Sequence, residues 1–138
     1  MKANDFIKKF GIGAAQCVLK NMPRTSTHYV FNKTGFYYSL DFKSYFHEGD
    51  WFDSDYSTAE EMEEDYRGNV VDLANLRRLV VAHELVEAKG GLNTAKFLVQ
   101  GADKLTYQLE QKGFGMSGVP NKDIEDLRQA IADVESCQ

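Results

Sequence analysis

Three times between residues 73 and 134, core-type positions recur at alternating spacings of three and four, a rhythm that commits the second half of the chain to amphipathic helices. The first set is Leu73, Leu76, Val80 and His83, with Asp72 placed to cap it and Gly90-Gly91 placed to stop it. The second is Ala95, Leu98, Ala102, Leu105 and Leu109, capped by Asn93, and the third is Ile124, Leu127, Ile131 and Val134. Helices are predicted over 72–89, 93–112 and 122–136, each with a narrow seam of the coiled-coil kind. The short Gly-Gly link makes the first two an antiparallel hairpin; the third closes a small bundle or pairs across a homodimer axis.

Upstream the period changes. Asn4 can cap a helix whose stripe, Ile7, Phe10, Ala14 and Cys17, is interrupted by Gly11 and Gly13, so residues 1–22 read as two short helices or one kinked helix. Thr27–Phe31 and Phe36–Phe42, rich in aromatic and β-branched residues, flank Asn32-Lys33-Thr34-Gly35, which predicts a β-hairpin or small antiparallel sheet over 27–42. Residues 44–68 have no clean period and read as an acidic, aromatic loop, with a short strand near Trp51 and Phe52 and a helical turn from Ala59 to Tyr66. The expected fold class is α+β in one domain, and 138 residues can bury a core without disulfides or metal.

Cys17 and Cys137 have no ligand-type spacing, which predicts buried, inert thiols in a reducing cytoplasm. Met1 to Asp5 meets an acid before any apolar run, and the run from Leu79 to Ala82 is too short to span a bilayer, so neither secretion nor membrane insertion is expected. Charge is strongly segregated. Residues 1–43 hold seven Lys and Arg against two acids, whereas residues 44–66 hold nine acids and no Lys or Arg.

Several motifs come close to known chemistry. His83-Glu84-Leu85-Val86-Glu87 has Glu87 where a zinc helix needs its second histidine, and reads instead as a seam histidine paired with Glu87. Asp53, Asp55 and Ser57 with Glu64 approximate a calcium loop, but Thr58 stands where the turn requires glycine. Gly113 to Gly118 lacks the lysine and the preceding strand of a phosphate cradle and reads as an interhelical link. With no nucleophile elbow or dinucleotide fingerprint either, the chain is expected to be no enzyme and to use no cofactor and no metal. Gly11 between short helices resembles the turn of a helix-turn-helix, which makes Lys8, Lys9, Gln16 and Lys20 the residues of an alternative, DNA-binding reading.

The aromatic residues are the least ordinary feature. Twelve fall between Tyr29 and Tyr66, more than one face of a two-stranded hairpin can bury, so some are expected to face outward as partner anchors. Trp51, Tyr37, Tyr38 and Tyr56 are the candidate anchors, with Asp53, Asp55, Glu60 and Glu64 supplying complementarity to a basic partner. An acidic mimic of DNA is a further alternative.

The opening Met1-Lys2-Ala3-Asn4-Asp5-Phe6-Ile7-Lys8-Lys9-Phe10-Gly11, the stretch Asn75-Leu76-Arg77-Arg78-Leu79-Val80 through His83-Glu84-Leu85-Val86 to Gly90-Gly91, and the closing Ala130 to Gln138 together resemble small accessory proteins of lambda-like temperate bacteriophages and their enterobacterial prophages. The likeness covers about half the chain and carries no active site. It implies a bacterial cytoplasmic setting and a module that binds a host or phage protein.

Overall fold

The computed structural model describes residues 1–32, 34–112 and 122–138. The proposed link from Gly113 to Pro120 lies outside them. The chain is α+β, and where a single domain was expected its backbone groups into two compact units, Met1–Val80 and Val81–Gln138.

In the first unit the glycine-broken stripe forms two helices, α1 (Ala3–Phe10) and α2 (Ile12–Lys20). Gly11 separates them at φ +89°, its N–H donating to the Ile7 carbonyl at 2.8 Å. Asn4 does not cap α1, which begins one residue before it. The Met1 ammonium is held by Glu63 Oε1 and by the carbonyls of Gly68 and Val70.

The hairpin proves to be part of a five-stranded antiparallel sheet. Its strands are β1 (His28–Val30), β2 (Phe36–Ser39), β3 (Ser44–His47), β4 (Asp50–Asp53) and β5 (Val70–Asp72), in the order β4-β3-β2-β1-β5. Residues 44–68 are therefore not one loop: the short strand expected near Trp51 and Phe52 is β4, the helical turn expected from Ala59 is helix α3 (Ala59–Asp65), and β3 precedes both. Their period is hidden because Tyr45-Phe46 and Trp51-Phe52 put rings on both faces of each strand. The turn between these strands is Glu48-Gly49, both at positive φ, the backbone a two-residue hairpin prefers. Thr58, the residue unsuited to a calcium loop, is the N-cap of α3: its Oγ1 accepts from the Glu61 N–H.

Strand alternation sorts the rings. Phe36, Tyr38, Tyr45 and Phe52 share one face with Val30 and Val70, where Met62 of α3 and the rings of Tyr56 and Tyr66 complete a core. Tyr29, Phe31, Tyr37, Phe46 and Trp51 share the other, where Phe6 and Phe10 of α1 pack edge-on against Phe31. The β1–β2 turn needs glycine at position 35: φ is +61° and any Cβ would overlap the Tyr29 hydroxyl.

Helix α4 (Leu73–Ala88) follows β5 without a loop, and Asp72 caps it as expected, Oδ1 accepting from the Asn75 N–H at 3.0 Å. The second unit contains the end of α4 with α5 (Leu92–Gln111) and α6 (Lys122–Glu135). Its core is Ala82, Val86, Ala95, Val99, Leu127, Ala130, Ile131 and Val134. Two seam expectations fail on α5: the helix starts at Leu92, so Asn93 is not its cap, and Leu98 and Leu105 are exposed. The face that meets α6 is the one carrying Ala95 and Val99, flanked by Lys96–Glu135 and Asp103–Arg128 ion pairs.

Gly35→Ala is expected to destabilise the first unit by about 1–3 kcal/mol, through the strained φ and the overlap with Tyr29. Tyr29→Phe should recover part of that loss by removing the overlapped oxygen. Urea denaturation of the two single variants and the double variant measures the coupling; strict additivity would refute the contact as its source.

Candidate functional site

The outer strand β4 has one paired neighbour, β3, and all four of its residues are exposed. Because Trp51 and Phe52 are consecutive, they point to opposite sides of the sheet. Trp51 rests edge-on against Phe46 with ring centroids 5.3 Å apart, and Phe52 stacks on Tyr45 at 5.5 Å. Each ring is thus held from behind, while Trp51 remains 36% and Phe52 45% exposed. Phe42, in the turn between β2 and β3, is 66% exposed. Exposed carboxylates surround this corner in sequence: Glu48, Asp50, Asp53, Asp55, Glu60 and Glu64, in a stretch that contains no Lys or Arg. Paired surfaces of this kind combine an unsatisfied backbone edge, two supported rings and one sign of charge.

Of the four expected anchors only Trp51 belongs to that surface in full. Tyr38 is 1% exposed and donates its hydroxyl proton to the Tyr56 carbonyl, so it is a core residue and cannot serve as an anchor. Tyr37 donates to the Val18 carbonyl at 2.6 Å; burial, with smaller contributions from Tyr29 and Cys17, pushes its phenol up to about 12. Tyr56 donates to Asp65 Oδ2 at 2.6 Å, and that hydrogen bond, ahead of burial, raises its pKa. These hydroxyls are committed to internal partners, which single-residue composition cannot reveal. Phe52 and Phe42 went unrecognised; adjacency to Trp51 in a strand was the available signal for Phe52, since two neighbouring rings on an edge strand face both ways.

Lys8, Lys9, Gln16 and Lys20 are all exposed, at the ends or outer sides of α1 and α2. Lys9 Nζ lies over the Phe10 ring at 5.3 Å. Cys137 is buried, but Cys17 is exposed, contrary to expectation, because Ala15 and Val18 are the α2 residues turned inward. His83 is half-buried on α4.

A second feature of the first unit is a cleft of about 520 Å³ whose lining includes Met22, Thr27, His28, Leu40, Asp72 and Arg77. His28 and Asp72 are cross-strand partners in β1 and β5. The Thr27 hydroxyl accepts from the Leu40 N–H at 2.9 Å and stands within hydrogen-bond distance of both the Tyr38 carbonyl, at 3.2 Å, and His28 Nδ1, at 2.9 Å. His28 Nε2 lies 3.8 Å from Asp72 Oδ2. Hydroxyl, imidazole and carboxylate are thus all present, but imidazole and carboxylate stand too far apart for a direct hydrogen bond.

Among the described residues, no three His, Cys, Asp or Glu side chains gather where they could hold a metal ion, and no helix is long and apolar enough to cross a membrane. No protein-family model, curated protein or solved structure matches the chain.

Burial lowers the pKa of His28, outweighing the opposing pull of Asp72 and Glu63. A histidine harder to protonate folded than unfolded takes up its proton preferentially in the unfolded chain. Its contribution to stability is therefore complete above the unfolded value of about 6.5 and is lost as pH falls below it toward the folded pKa. The urea midpoint should fall from pH 7 to pH 5.5, and His28→Asn should flatten that fall. An NMR titration placing His28 above 6.5 would contradict the assignment.

Proposed function

We propose that this chain is a protein-binding module whose β4 edge, with Trp51 and Phe52, receives a basic, extended segment of a partner protein. The observation that carries this reading is the coincidence of an open strand edge with exposed rings on both of its faces inside an all-acidic stretch. An incoming strand would add main-chain hydrogen bonds to β4 and set alternate side chains against the two rings. Lys or Arg on that segment would meet Asp50, Asp53 and Asp55, and could also lie over the Trp51 face. Acids along β4 also discourage pairing of the edge with another copy of itself, since like charges would then face one another. Support for the biological setting is the resemblance of the chain ends and the α4 segment to accessory proteins of temperate phages, which makes a host or phage factor in the bacterial cytoplasm the proposed partner.

Trp51 is the chain's one tryptophan, so its emission reports directly on β4. Titration with ten-residue peptides alternating Lys or Arg with aliphatic residues should give a saturable emission change, weakened at high salt, while acidic counterparts should give none. Phe52→Ala should lower affinity by about tenfold or more, as truncation of a central anchor does. An emission change with equal response to basic and acidic peptides, or an affinity indifferent to Phe52→Ala, would sink the proposal.

A further inference from the structure

Helix α5 has two apolar faces, and the fold of the second unit uses one. Ala95 and Val99 are buried in the core with α6, with Leu92 at its margin. On the opposite side Phe97 is 74% exposed, Leu105 57% and Leu98 43%. At 100° per residue, positions 97, 101 and 105 form a line that drifts by only about 80° around the helix, with Leu98 next to Phe97 and turned to the side that Leu105 occupies. Gly101 stands at the middle of that line, and a Cβ there would meet no atom within 4 Å. Glycine is the poorest helix former after proline. Among the described residues of one copy, nothing in the packing at position 101 calls for it.

We propose that this face pairs with the same face of a second copy, the two α5 helices running antiparallel and crossing at Gly101. Two features favour a second copy as the occupant. Large apolar side chains lie symmetrically four residues to either side of the glycine, so a two-fold axis through position 101 sets Phe97 of each copy against Leu105 of the other. Such a self-complementary patch is what an isologous interface requires. The missing side chain lets the two backbones approach at the crossing, where an alanine methyl would hold them apart. Phe97, Gly101 and Leu105 carry no charge, and neither do Thr94, Leu98 and Gln108 beside them; the one charge on this face is Lys104, about 20° around the helix from Phe97. Lys104, at its border, decides the direction: parallel helices would bring the two Lys104 ammonium groups level, while antiparallel helices separate them along the axis and oppose the helix dipoles favourably.

Two helix faces of this length bury on the order of 1,000 Å² together, near the lower limit for a specific interface, so the dimer is reversible and concentration-dependent. One such particle carries two β4 edges.

The test is sedimentation equilibrium of the full chain from about 5 to 500 µM. The wild-type mass should rise from one copy toward two across that range. Leu105→Glu should stay monomeric throughout with unchanged circular dichroism, and Phe52→Ala on β4 should dimerise like the wild type. Gly101→Ala gives the sharper result, because two effects of opposite sign are expected. Alanine is the better helix former and has room, so the thermal midpoint measured at low concentration should rise, while dimer affinity should fall tenfold or more. A wild-type monomer at 500 µM would overturn the proposal, whatever else then covers the face. So would a dimer that survives Leu105→Glu or tightens on Gly101→Ala. Should Leu105→Glu fail to fold, Gly101→Ala decides alone, since the added methyl meets nothing among the described residues.

Discussion

Strands of three or four residues make few ladder hydrogen bonds, and a sheet built from them depends on what its side chains do across the strands. Here the pairing is aromatic. Tyr29 meets Tyr37, Phe36 meets Tyr45, Phe46 meets Trp51 and Tyr45 stacks on Phe52, so each inner step from β1 to β4 is bridged by rings on one face or the other. Flanking elements attach to the same network: Phe6 and Phe10 of α1 through Phe31, and the segment around α3 through Tyr56 and Tyr66. Tyr38 shows how the network handles its polar atoms, since a ring almost wholly out of water keeps its hydroxyl bonded to a carbonyl.

The two ends of this sheet are treated differently. At β5 the chain turns directly into α4 through Asp72, α1 lies alongside, and the Met1 ammonium takes the Val70 carbonyl. At β4 the backbone edge and both flanking rings are left to solvent. The acids that make residues 44–66 look like a solvated loop are, in three dimensions, the border of that open edge. Edge, rings and charge are separate features of the sequence, and only the strand order brings them to one corner.

How far the sequence could be read follows from where its period is audible. The helices of the second half are correct to within a residue or two because alternating threes and fours survive any tertiary context, and Asp72 was identifiable as a cap from its place before Leu73. The seam of α5 was misjudged because Leu98 and Val99 are adjacent and both apolar; choosing between them requires knowing which side α6 occupies. The sequence shows β4 only as a short strand near Trp51 and Phe52 and does not show β3 at all, for a different reason: consecutive rings abolish the polar–apolar alternation, and Glu48-Gly49 is a weaker hairpin signal than Asn-Gly. Of the proposed anchors, Trp51 is exposed and Tyr38 is buried, since whether a tyrosine faces water or a carbonyl is settled by its strand neighbours.

The contact between Gly35 and the Tyr29 hydroxyl links two positions six residues apart by shape alone. A chain descended from the same ancestor could replace almost any surface residue of this sheet independently, but it could place a side chain at 35 only where the ring at 29 had become smaller or turned away. The pair therefore acts as a correlated signature: among diverged sequences, a small residue at the first strand position would accompany a non-glycine turn, and that joint substitution could mark common descent after overall identity had faded.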